Sequence, residues 1–154
     1  MAATVRSLVT WRVVSVGKPK LRYAQLGIAD YEGRIRRFAR WEWRTVPAAT
    51  PERESAQLVE ASRETFRLLL DSRGREFPSL TFAENVSRWI ETPKMTVSLL
   101  VGGAAGVTEA VRRQANLLWS LGPHTLQHEL ALLVALEQVY RAHTIIAHLP
   151  YHRE

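Results

Sequence analysis

Short β-branched runs and amphipathic segments alternate along this chain, each closed by turn residues, and that alternation limits the fold more than any other feature of the sequence. Trp11-Arg12-Val13-Val14-Ser15-Val16 stops at Gly17 and Pro19, which predicts a strand. Leu21, Ala24, Ile28, Tyr31, Ile35 and Phe38 then recur at spacings of three and four, the pattern of one helix face. Trp41 to Val46 alternates aromatic and polar groups up to Pro47, a half-buried strand whose tryptophans belong to core or dimer packing. Thr50-Pro51-Glu52 supplies an N-cap, a proline at the first helical position and an acid in the first turn, predicting a helix to about Arg63. Phe66 to Leu70 predicts a third strand, ending in Asp71 and a polar loop around Gly74. Thr81-Phe82-Ala83-Glu84 has capping-box spacing for a third helix, closed by Pro93 and Lys94. Thr96 to Val101 suits a central strand and runs into Gly102-Gly103. The expected fold class is α/β, with a mainly parallel sheet flanked by helices. Ligands of such sheets sit beyond the carboxyl ends of the strands, so Leu70, Asp71, Gly102 and Gly103 are site candidates from pattern alone.

A chain of 154 residues, 46% of them hydrophobic, can bury one core but not two. No run approaches the roughly 18 apolar residues of a membrane span. Cysteine is absent, which removes disulfides, thiolate nucleophiles and thiolate metal ligands together and makes the cytoplasm the expected location. Arg12 interrupts the first apolar stretch, so that stretch reads as a buried strand rather than a removable leader. The net charge of +6 is unevenly placed: residues 1–44 hold ten Lys/Arg against three Asp/Glu, and the remainder eleven against twelve. Arg22, Arg34, Arg36, Arg37 and Arg40 fall largely off the apolar stripe of the first helix, a cationic surface of the kind that binds RNA phosphates.

Three features bear on chemistry. Gly102-Gly103-Ala104-Ala105-Gly106 lies between a strand and an expected helix, where glycines let backbone approach a ligand. Its G-G-x-x-G spacing, late in the chain, disfavours a dinucleotide-binding site. All five histidines, His124, His128, His143, His148 and His152, fall in the last 31 residues. They lack an HExxH frame, and Pro150 breaks the helical register between the last two, so no metal site is expected. Such histidines can instead donate to phosphates or exchange protons at neutral pH. Finally, His128 to Ala142 predicts a helix apolar on nearly all faces, which must be covered on every side; packing against a second copy in a twofold dimer is the expected solution.

Five segments together carry a resemblance: Ser98-Leu99-Leu100-Val101-Gly102-Gly103, Leu118-Trp119-Ser120-Leu121, Thr125-Leu126, Glu137-Gln138-Val139-Tyr140-Arg141-Ala142 and Pro150-Tyr151-His152-Arg153-Glu154. In order and spacing they resemble the 23S rRNA pseudouridine N3-methyltransferase family, of the knotted SPOUT class. Val13-Val14-Ser15-Val16-Gly17-Lys18 and Ile28-Ala29-Asp30-Tyr31 extend the likeness to the opening strand and helix, so residues 11–154 are expected to form the domain and residues 1–10 an extension. The resemblance implies a single-domain SPOUT sheet with a C-terminal trefoil knot, a homodimer, S-adenosylmethionine as cofactor, and 23S rRNA in the assembled ribosome as partner. It implies cofactor-binding roles for Leu70, Gly102, Gly103, Leu121, Gly122, Pro123, His124, Thr125 and Leu126. The tail residues Tyr151, His152 and Arg153 are the implied catalytic groups, His152 as base and Arg153 as charge stabiliser, because the weakly acidic N3–H must lose its proton. The tail is expected to act on the partner's cofactor site.

The chain departs from that family's pattern at Ala104 and Ala105, where a polar turn is common, and at Leu132, where an arginine is common. These departures keep a second reading in view, a ribosome-associated RNA-binding dimer with weakened or lost methyl transfer.

Overall fold

The computed structural model describes residues 8–153, and its elements alternate as the sequence pattern requires: β1 (Thr10–Val16), α1 (Arg22–Ile35), β2 (Arg40–Val46), α2 (Pro51–Ala61), β3 (Phe66–Glu76), α3 (Ser79–Glu91), β4 (Thr96–Val101), α4 (Glu109–Gln114), β5 (Leu117–Ser120) and α5 (His128–Ile146). The strands form one five-stranded sheet in the order β2-β1-β4-β3-β5, and every ladder is parallel. Successive residues of a strand face opposite sides, which divides the core in two. Trp11, Val13, Leu68, Val97 and Leu99 face a layer made by α1, α3 and α5. Val14, Leu69 and Leu100 face α2 and α4 through Leu58 and Val111.

Val9 is buried in the core, and Thr10, the first residue of β1, pairs with both Arg40 and Thr96. Residues 1–7 of the expected extension lie outside the described residues.

Local signals are realised unevenly. Thr50 caps α2, its side chain accepting from the Arg53 amide at 3.3 Å, and Pro51 opens the helix. The capping box read at Thr81 does not form: the N-cap of α3 is Pro78, three residues earlier, and Thr81 is inside the helix. The Ser79 hydroxyl instead donates to Gln138 of α5 at 2.8 Å, so a tertiary contact sets the start of the helix. β3 continues past Leu70 to Glu76, but its ladder with β5 is interrupted, Leu70 and Arg75 both facing Trp119. Residues 71–74 therefore bulge out where the sequence predicts a loop. α5 runs past Ala142 to Ile146, and among its residues none is exposed. α1 and α3 pack along its two flanks, so much of the cover its apolar composition demands comes from its own chain.

Candidate active site

Three strand ends surround one cavity. β4 ends at Val101 and passes into Gly102-Gly103, β3 delivers Leu70 and Asp71 at its bulge, and β5 runs from Trp119 through Ser120 into Leu121-Gly122. The first turn of α5, with Gln127, His128 and Ala131, closes the fourth side. The cavity has a volume of about 450 Å³, within the usual range for a cofactor or small-molecule site. Its position beyond the carboxyl edge of the sheet follows from parallel topology, since strand ends there give way to loops free to diverge.

Each wall is held by identifiable contacts. A Cβ on Gly102 would lie 2.7 Å from Val107 Cγ1, so only glycine lets the turn fold back on itself here. Ser120 Oγ donates to the Gly122 carbonyl at 3.1 Å and accepts from the Gly122 amide at 3.2 Å, fixing the loop that leaves β5. Asp71, buried at the bulge, accepts from the Arg73 amide at 2.8 Å and from Arg112 Nε of α4. Arg112 in turn reaches Glu109 at 3.4 Å. The Asp71 hydrogen bond is the main reason that the Arg112 guanidinium is held above its ordinary pKa despite partial burial. Leu70, Trp119, Leu121 and Leu126 supply apolar wall, while Arg112, His124, Gln127 and His128 supply donors or acceptors.

A second polar cluster lies at the other end of α5. Glu137 binds Arg141 at 2.6 Å, and Tyr151 donates to Glu137 at 3.3 Å while its hydroxyl also meets that of Tyr31 at 3.2 Å. Arg141 Nη1 donates to His152 Nδ1 at 3.1 Å. A guanidinium only donates, so Nδ1 is the unprotonated nitrogen and Nε2 carries the hydrogen. The one lone pair of His152 is thus already engaged. Burial, then the Tyr31 hydrogen bond and the Glu137 charge, push the Tyr151 hydroxyl well above the usual phenol range, so it stays protonated and serves as a donor. Arg141 lies ten positions beyond Ala131, the nearest cavity residue on the same helix, roughly 15 Å at about 1.5 Å per residue. The tail cluster and the cavity are therefore separate within one chain.

The family described as "Predicted SPOUT methyltransferase" matches residues 9–152. The chain belongs to the SPOUT methyltransferase family. Among SPOUT relatives, a Thermus thermophilus protein named Ribosomal RNA large subunit methyltransferase H is 46% identical over 142 residues, covering 92% of this chain and 97% of the relative. A Deinococcus radiodurans protein of the same name is 41% identical over 145 residues, with 92% and 97% covered. A crystal structure named "Probable Methyltransferase from Bordetella pertussis Tohama I" shares the fold at a TM-score of 0.59 and 16% identity, covering 89% of this chain and 95% of that one.

Of the residues to which the SPOUT resemblance gives cofactor roles, Leu70, Gly102, Gly103, Leu121, Gly122, His124, Thr125 and Leu126 line the cavity. Pro123 does not; it is exposed at the apex of the loop. Tyr151, His152 and Arg153 do not line it either. Sequence reasoning missed Arg112 and Ser120, whose partners are far away or turn-specific, and whose residue types carry no signal of their own. His143 is not at the site: it is a core residue beneath α1 and β1.

Proposed function

We propose that this SPOUT protein transfers a methyl group from S-adenosylmethionine to N3 of a pseudouridine in 23S rRNA of the large ribosomal subunit. The observation that carries the reading is near full-length identity to relatives named for methylating large-subunit rRNA. The cavity supports the cofactor: backbone at Gly122 is open to close approach, Gly102 and Gly103 contribute wall, Leu70, Trp119, Leu121 and Leu126 suit an adenine ring, and Arg112 suits a carboxylate. When bound, the cofactor supplies an electrophilic methyl group, which the acceptor nitrogen takes in line as its own proton leaves.

The protein acts as a homodimer in the cytoplasm, on assembled ribosomes, with a knotted C-terminal segment. Separation of tail and cavity supports a composite site, in which Tyr151, His152 and Arg153 of one subunit complete the cavity of the other. Exposed Tyr23 and Leu26 on α1 and Leu80 on α3 support a second copy packing over this helical layer. In the partner's site, Tyr151 and Arg153 are donors to the substrate. His152 takes the N3 proton once its Nδ1 has left Arg141, so Arg141 positions the resting tail.

Transfer of labelled methyl from S-adenosylmethionine to ribosomes lacking the modification, with the modified base located in 23S rRNA, tests the reading. Methyl on pseudouridine N3 is the expected result. Tight ribosome binding by a folded dimer without transfer would instead favour an RNA-binding protein that has lost catalysis. His152→Ala is expected to lower turnover at least about a hundredfold, the lower end for losing a positioned proton-transfer group, and Arg153→Ala is expected to lower it as well; full activity in both variants would remove the tail from the mechanism.

A further inference from the structure

Three carboxylates are buried among the described residues, and two of them have partners. Asp71 is paired with Arg112, and Glu129 accepts two backbone amides, those of Lys20 and Leu21. The third, Glu54 of α2, is 5% exposed and has no side-chain hydrogen bond or ion pair among the described residues. Its Oε1 and Oε2 lie 3.1 and 3.3 Å from where a Cβ on Gly103 would stand. Gly103 is one of the residues that line the cavity. The carboxylate is held there by the neighbouring residue: Ser55 Oγ accepts from the Thr108 amide at 3.2 Å, fastening α2 to the segment that follows the glycine turn.

Favourable placement near a helix N-terminus does not account for the burial. Glu52, in the same first turn of α2, is exposed and meets the helix dipole without desolvation. An unpaired buried carboxylate is costly, and such groups concentrate where a charge has work to do on a ligand. The lining residue beside it, Gly103, has no side chain, so the carboxylate stands against the backbone of the cavity wall. Charges in so poorly solvated a setting interact far more strongly than in water. The paired charges in the lining, Asp71 and Arg112, offset one another and leave Glu54 to set the sign of the local field.

We propose that Glu54 makes the cavity selective for a cationic ligand, so that it favours a sulfonium cofactor over the neutral thioether that remains once the methyl group has gone. This rests on the methyl-donor reading above and extends it to product release: attraction present for the donor is absent for the spent cofactor. Glu54 is thus a specificity-determining residue that acts through the space behind Gly103.

Calorimetric titration of the purified protein with three probes tests this: S-adenosylmethionine, sinefungin, in which a charged amine replaces the methylsulfonium, and neutral S-adenosylhomocysteine. The wild type is expected to bind both cations more tightly than the thioether. Glu54→Gln, nearly isosteric and relieved of a buried charge, is expected to weaken both cations roughly tenfold and to leave the thioether within about twofold, as befits loss of one partly screened charge interaction. A merely structural role would weaken all three alike, and that result, or no change in any, overturns the proposal. Equal affinity of the wild type for sinefungin and the thioether overturns it without any variant. Failure of the wild type to bind any of the three removes the methyl-donor reading itself, an outcome distinct from a loss confined to the Glu54 variant.

Discussion

His143 shows how far a residue type can mislead. Its imidazole is stacked 5.5 Å from the Phe38 ring and meets the edge of Trp11, whose Nε1 donates to His143 Nε2 at 3.0 Å. Burial pulls its pKa from 6.5 down to about 4. The unfolded chain therefore binds a proton between these values while the folded chain does not, so stability is full above pH 6.5 and falls as the pH drops through 4. The loss amounts to roughly 3 kcal/mol in strong acid. Urea unfolding of the wild type across pH 7 to 3.5 should show this slope, and His143→Gln, which keeps an acceptor for Trp11, should flatten it. Asp71 and Arg112 give a second residue-scale test. Arg112→Leu strands a buried carboxylate and is expected to cost about 3–5 kcal/mol, whereas Asp71→Asn added to it should recover a large part of the loss in the same unfolding measurement. Five histidines cluster near the C-terminus, yet two line the cavity, one is in the tail cluster, His143 is core and His148 is exposed just past α5. Only tertiary neighbours separate these fates, and they are invisible in a linear count.

At the scale of elements, the parts legible in the sequence were those governed by local period: the runs for β1, β2 and β4 and the stripe of α1 recur near their expected bounds. β5, four residues long, lacks enough length to show a period. The bulge of β3 and the start of α3 depend on contacts with α4, β5 and α5, so their sequence signals were incomplete. The N-terminus of α1 is the clearest case. Its N-cap, Leu21, has no side-chain acceptor to offer, and the amides of Lys20 and Leu21 are instead capped by Glu129 Oε1 at 2.7 and 2.9 Å. Glu129 belongs to the first turn of α5, beside the cavity residue His128. One carboxylate thus ties the start of the first helix to the start of the last. Glu129→Ala should destabilise the protein by about 1–2 kcal/mol, the usual effect of losing a helix cap with charge-assisted bonds. Hydrogen exchange should accelerate first at the Lys20 and Leu21 amides; protection unchanged there would show that α1 is held by packing alone.

For the whole molecule, sheet direction and the position of the cavity followed from strand–helix alternation, because parallel strands open their carboxyl ends on one edge. The order β2-β1-β4-β3-β5 did not, since lateral neighbours are chosen by packing between segments far apart in sequence. The same distance argument bears on assembly. A tail tied to Arg141 stands about 15 Å from the nearest cavity residue of α5, Ala131, so on the proposed reading a catalytic tail works in another subunit. Two inactive variants then ought to rescue one another. Ala131→Phe blocks a cavity wall while leaving the tail intact, and His152→Ala with Arg153→Ala removes the tail groups while leaving the cavity intact. After subunit exchange at equal concentrations, half the dimers are mixed and each mixed dimer holds one complete site of two, giving about a quarter of wild-type methyl transfer. Each variant alone should be nearly inactive. Mixtures no more active than their components, with exchange verified by labelled subunits, would put tail and cavity to work in the same chain and require the tail to swing away from Glu137 and Arg141.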